Sequence, residues 1–151
     1  MKPVAKKATP AAIAVLRQAT AICPLRMKAS DGLLPSKAHI HQNPNSDHNT
    51  GYAVDLTHDK LGGIDCFLLF QKLQADPRVS YLIFQGKIWS KEKGLRDYTG
   101  SNKHNKHLHI SIKEGDGDDT SPWFPWLGKP KAVNKVKANF PKPLPKKKEN
   151  Q

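Results

Sequence analysis

The segment His107-Leu108-His109-Ile110-Ser111-Ile112 alternates polar and apolar side chains, and no other stretch constrains the chain so tightly. Successive side chains of a strand point to opposite faces, so His107, His109 and Ser111 share one face while Leu108, Ile110 and Ile112 pack the other. Two imidazoles therefore stand side by side over a buried apolar layer.

A second stretch, Ser46-Asp47-His48-Asn49-Thr50-Gly51-Tyr52-Ala53-Val54-Asp55, answers the first. It sets a histidine and a carboxylate seven residues apart, with a glycine and a short apolar run between them. Three imidazole or carboxylate ligands with an open fourth position are the composition of a catalytic zinc site. His48, Asp55 and one histidine of the later pair can supply it. The other histidine is then left beside an acidified water, where an imidazole of ordinary pKa can take up a proton and pass it to a leaving amine. The chemistry this suggests is hydrolysis.

The motif Ser46-x-His48-x-x-Gly51-x-Ala53-x-Asp55 followed by His107-x-His109 resembles the zinc D-Ala-D-Ala carboxypeptidase and peptidoglycan endopeptidase group. That group includes VanY-like enzymes, phage endolysin peptidases and the penicillin-insensitive murein endopeptidases. The resemblance implies that His48, Asp55 and His109 are zinc ligands and that His107 is the catalytic base. The spacing His104-x-x-His107-x-His109 is similar to the murein endopeptidase branch, which implies that His104 also lines the site. Other branches carry an acidic residue three positions before the last zinc histidine, and here Lys106 stands there. His39, His41 and His58 have no partner at informative spacing and read as surface or loop residues.

The formal charge of +12 sits at the ends: residues 1–10 carry three lysines, and residues 129–151 carry eight lysines against Glu149. A nucleic-acid-binding face would concentrate basic residues on one element, so no specific nucleic acid is expected. The charge pattern implies a near-neutral domain at 9–128, a basic N-terminal extension at 1–8 and a Lys/Pro-rich tail at 129–151. Such a tail suits electrostatic capture of an anionic cell-wall or membrane surface. No apolar run approaches the ~20 residues of a membrane span. Arg17 and Gln18 interrupt the N-terminal apolar stretch before a signal-peptide core forms. The expectation is a monomer made in the bacterial cytoplasm that reaches the wall after holin-type release. Cys23 and Cys66 belong to no Cys-x-x-Cys pair and are expected as buried thiols.

Thr9-Pro10 reads as a helix start, with Thr9 as cap and the helix ending before Pro24. Ile13, Leu16, Thr20 and Cys23 are expected on its buried face. Residues 25–50 read as an irregular wall of the cleft. A short strand over residues 52–56 carries Asp55, and Asp65 caps a helix reaching about residue 75. Its apolar positions are Ile64, Phe67, Leu68 and Leu73. Val79 to Phe84 is the strongest strand, turning at Gly86-Lys87 into a hairpin. A loop over residues 93–105 precedes the histidine strand at 106–113. Residues 114–119 read as a solvated acidic turn, lacking the ligand spacing of a calcium loop. Residues 121–126 are aromatic and proline-rich, expected to pack back over the core, with Trp123 or Trp126 as a candidate stacking surface for substrate.

The fold expected is α+β, a small antiparallel sheet with helices packed on one side and a zinc cleft along the sheet. The function expected is a zinc-dependent peptidoglycan peptidase of the phage endolysin type. Two alternatives stand beside it. One is a D,D-carboxypeptidase acting on stem peptides, and the other is a non-catalytic metal-stabilised domain whose basic tails bind an anionic polymer.

Overall fold

The structure, a computed structural model, describes residues 3–129. The tail beyond Lys129, on which the anionic-surface expectation falls, lies outside the described residues.

Helix α1 spans Pro10–Ile22. Thr9 caps it, its side chain accepting from the Ala12 N–H at 3.3 Å, and Pro10 takes the first helical position. The buried face is Ala11, Ala12, Val15, Ala19 and Ile22, whereas Ile13 is 38 % exposed. Of the expected stripe, Cys23 is buried and Leu16 packs against the core, while Ile13 turns outward and alanines supply most of the docking face. Small side chains let the helix axis approach the sheet closely, so the face they form is the one that docks.

A second helix, α2, occupies Lys37–Gln42 with Ser36 as its cap, and a 3₁₀ turn covers Asp47–Thr50. The stretch expected to be irregular therefore holds two short helical pieces. Helix α3, Cys66–Lys72, starts at Asp65, whose carboxylate accepts from the Phe67 N–H, and it runs on into a 3₁₀ turn at Leu73–Ala75. Of its apolar positions Ile64 and Leu73 are buried, with Cys66 and Leu69, while Phe67 and Leu68 face outward. No helix among the described residues is long and apolar enough to cross a membrane.

Five strands form one antiparallel sheet: β1 Ala53–Thr57, β2 Val79–Phe84, β3 Lys87–Ser90, β4 Gly94–Asp97 and β5 His107–Ile112, in the order β1-β5-β2-β3-β4. Strand β4 falls inside the segment expected to be a loop. Strand β5 lies inside the sheet, with β1 and β2 on either side, so both its hydrogen-bonding edges are paired. One face presents Leu108, Ile110, Ile112, Val54, Leu56, Leu82 and Phe84 to a core completed by α1 and α3. The opposite face carries Asp55, Thr57, His107, His109 and Ser111, because Asp55 pairs with His109 and Thr57 with His107. The register of β2 shifts between Val79 and Tyr81. That shift puts Val79 in the core and Tyr81 against Ser111 on the other face, as an extra residue in one strand does.

The C-terminal aromatic segment packs back as expected. Trp123 is 1 % exposed and its indole N–H donates to Ala11 O at 3.0 Å. Arg78 lies over the Trp123 ring at 3.6 Å and donates to the carbonyls of Asp119, Ser121 and Pro122. Trp123 is therefore core and has no face left for a substrate. Cys23 and Cys66 are buried and joined by no disulfide. In the acidic turn the Gly117 carbonyl accepts from the Ala11 N–H, which ties that turn to the start of α1.

Candidate metal centre

The site is built where the 3₁₀ turn hands the chain to β1. Ser46 Oγ accepts from the His48 N–H, opening the turn, and Gly51 closes it with φ of 82°. A side chain at Gly51 would meet Lys7 O at 2.9 Å, so both the left-handed backbone and the crowding require glycine. From there β1 carries Asp55 back under His48, and His48 Nε2 lies 3.2 Å from Asp55 Oδ1. The seven-residue spacing is the length of one tight turn plus half a strand.

Asp55 is held on both strand edges. Its N–H donates to Gly32 O at 2.8 Å on one side, and on the other it pairs with His109 of β5. A Cβ at position 32 would stand 3.3 Å from Asp55 Oδ2, so the glycine leaves room for the carboxylate. His109 Nδ1 lies 3.3 Å from Asp55 Oδ1. One nitrogen each from His48 and His109 and one Asp55 oxygen lie within 4.8 Å of one another, a group that can hold a metal ion.

The outer nitrogens of both imidazoles are anchored. His48 Nδ1 lies 2.7 Å from Leu33 O, and His109 Nε2 lies 2.8 Å from Ser111 Oγ. A neutral His48 that donates to this carbonyl keeps its Nε2 lone pair toward Asp55, the tautomer a metal ligand needs. Tyr81 stacks on the His109 ring, with centroids 5.4 Å apart and planes at 17°.

Burial alone would push the Asp55 carboxyl up, but hydrogen bonds from His109 and His48 hold it well below the usual carboxylate range. Burial likewise works against a charged His48, yet the hydrogen bond and charge of Asp55 raise it above an ordinary imidazole. Two imidazoles thus flank one firmly ionised carboxylate.

Comparison of the chain with protein-family models, curated proteins and solved structures yields no match. The site therefore stands on its own geometry.

The remaining histidines divide. His107 faces the second carboxylate oxygen, with Nε2 3.6 Å from Asp55 Oδ2, and burial holds its pKa below the ordinary value. His104 has its ring 5.0 Å from that of His107 and 5.5 Å from that of His109. Burial, reinforced by the charges of His109 and His107, lowers it to about 4, so it is neutral at physiological pH. His104 thus stands beside His107 and His109 at the cavity wall.

His39 is a correction. Read as a surface or loop residue, it instead stands on α2 with its ring 5.8 Å from His48, and its Nε2 is buried without a hydrogen-bond partner. The signal was Ser36, which accepts from the His39 N–H and opens the helix. His58 is structural: its Nδ1 accepts the Cys66 N–H at the start of α3, and its ring packs on Phe67 and Phe84.

These groups open onto a cavity of about 590 Å³ lined by His39, His48, Asp55, Tyr81, His104 and His109 among others. Tyr81 also borders a second groove, which carries Lys91, Lys93, Arg96 and Lys113 against a lone Glu92.

Proposed function

We propose that this chain is a zinc-dependent peptidoglycan peptidase of the endolysin type, hydrolysing a peptide bond of the stem peptide or cross-link. The observation that carries the reading is the convergence of His48, Asp55 and His109 at the wall of a cavity that also presents His104, with His107 alongside. Two imidazoles and one carboxylate suit zinc, and three protein ligands leave a position for water and substrate. His48, Asp55 and His109 would hold the zinc ion, which would supply a Lewis acid for the scissile carbonyl and a water of lowered pKa.

The chain's own residues do the rest. His107, kept neutral by burial, takes the proton at Nε2 and returns it to the leaving amine. His104, also neutral, donates to the oxyanion as it develops. Anchoring of His48 by Leu33 O and of His109 by Ser111 Oγ keeps both rings aimed while the bond breaks.

The basic groove beyond Tyr81 supports an extended anionic substrate such as a stem peptide with free carboxylates. An extended substrate favours cleavage within the polymer over the D,D-carboxypeptidase alternative. The Lys-rich tail would add salt-sensitive attachment to an anionic wall or membrane surface.

Mass spectrometry of purified peptidoglycan digested with the zinc-loaded chain tests the reading. EDTA-treated chain and His107→Ala serve as controls. New stem-peptide termini that require both zinc and His107 are expected, and they name the bond. No release from any wall type, with zinc still bound, would instead favour the non-catalytic metal-stabilised domain.

A further inference from the structure

The two oxygens of Asp55 face different partners. Oδ1 meets His48 Nε2 and His109 Nδ1, whereas Oδ2 meets His107 Nε2. One ring nitrogen each from His104 and His107, with an Asp55 oxygen, makes a second group whose atoms also lie within 4.8 Å of one another. His104 Nδ1 and His107 Nε2 are both buried with no hydrogen-bond partner. Buried polar nitrogens are nearly always paired, so two orphans side by side mark a place for an electrophile.

The backbone around His104 points the same way. Its φ is 58°, rare for a residue with a side chain, and the conformation is held from both sides. The His104 N–H donates to Asn102 Oδ1 at 3.0 Å, and the Gln85 N–H donates to His104 O at 3.1 Å. Strain that the surroundings over-determine in this way collects at functional sites. Here it brings the His104 ring against that of His107.

We propose that Asp55, His104 and His107 form a second divalent-cation site, which shares the Asp55 carboxylate with the first and switches hydrolysis off when zinc fills it. Two imidazoles and a carboxylate have the softness zinc prefers. Carboxylates bridge paired ions about 3.5–4 Å apart in two-metal sites. An ion on His107 Nε2 uses the lone pair that would otherwise accept the proton. The site depends on geometry alone, while its inhibitory effect rests on the peptidase reading above.

The full chain, stripped with a chelator and dialysed against a series of buffered free-zinc concentrations, allows bound ions to be counted by elemental mass spectrometry. Two ions per chain are expected, filling at separable zinc concentrations, and one ion in the His104→Ala/His107→Ala variant. His104→Gln, which keeps a polar side chain in the loop but offers no imidazole, is also expected to hold one. A single ion in the wild-type chain at every concentration, or two ions retained in both variants, overturns the site. Peptidoglycan cleavage in the same buffers is expected to rise with the first ion and fall at least tenfold as the second binds. A rate that holds its plateau while the second ion binds overturns the switch. No cleavage at any zinc level, with two ions still counted, supports the site and overturns both the peptidase reading and the switch.

Discussion

Asp55 and His109 stand directly opposite each other on β1 and β5, with Asp55 Oδ1 3.3 Å from His109 Nδ1. Directly opposed residues of an antiparallel pair hold their Cβ atoms roughly 4.5–5.5 Å apart, so register rather than loop placement sets this pair. Because His48 Nε2 approaches the same oxygen, Asp55 is the group on which the candidate metal set turns. Asp55→Ala is expected to abolish stoichiometric zinc binding and activity together. Elemental analysis of the dialysed variant checks this, and one tightly held zinc would remove Asp55 from the ligand set.

His107 should be separable from the first ion, since its nitrogen faces the other carboxylate oxygen. His107→Ala is expected to keep the tighter zinc and to lose turnover by roughly 10²- to 10⁴-fold, the usual contribution of a general base. Single-turnover cleavage of a purified muropeptide measures it. An unchanged rate would take His107 out of proton transfer.

Ser111 is fully buried and touches the candidate metal centre through His109 Nε2 at 2.8 Å. Ser111→Ala leaves that nitrogen without its partner and frees the ring to rotate. Zinc affinity is expected to weaken by roughly 10- to 100-fold, the usual effect of losing such an anchor, while the thermal transition of the metal-free chain moves little. Competition with a chromogenic chelator reads the affinity.

Arg26 and Asp31 form a buried ion pair at 2.7 Å, and Asp31 also accepts from the N–H and hydroxyl of Thr57. The pair pins residues 26–31 to the end of β1, next to the metal set. Burial alone would push the Asp31 carboxyl up, but bonds from Arg26 and Thr57 hold it below the usual carboxylate range. A carboxyl lowered on folding contributes stability above its unfolded pKa of about 3.9, and the contribution is lost as pH falls through the lower folded value. Asp31→Asn is therefore expected to cost about 3 kcal/mol near neutrality, since it leaves Arg26 buried without its counter-charge. The gap to wild type should narrow below about pH 4. Urea denaturation of both proteins across pH checks this, and a pH-independent gap would contradict the ion-pair account.

Deleting residues 129–151 removes eight lysines and Glu149. Binding to whole cell walls is expected to weaken, most at low salt where screening is least, while cleavage of small soluble substrates is spared. Cosedimentation at several salt concentrations separates the two. Equal loss on both substrates would place the tail in the fold.

Much of the site could be read from the chain because its chemistry is local. Ser46 to Asp55 spans one turn and half a strand, and the alternation from His107 to Ile112 dictates which side chains share a face. His39 escaped because the Ser36 cap marks a helix without marking which of its side chains reaches the site. It enters the site only because residues 25–50 fold over the polar face of the sheet. Strand β4 escaped for a similar reason: Leu95 is 60 % exposed, and pairing with β3 rather than any apolar pattern makes it a strand. The docking face of α1 was legible only in part, at Leu16 and Cys23, because the rest of it is built from alanines that close approach to a sheet favours.

By itself the sequence determined the pieces: the caps at Thr9 and Asp65, the turn at Gly51, the faces of β5, and the identity of the grouped donors His48, Asp55 and His109. Only the tertiary structure decided their assembly. It set β5 between β1 and β2, turned Tyr81 onto His109 by the register shift in β2, and brought His39 and His104 into the lining of one cavity. Caps, turns and strand faces follow from interactions within a few residues. Strand order and cavity lining depend on contacts between segments far apart in sequence, whose closure is fixed only when the whole apolar face finds its core.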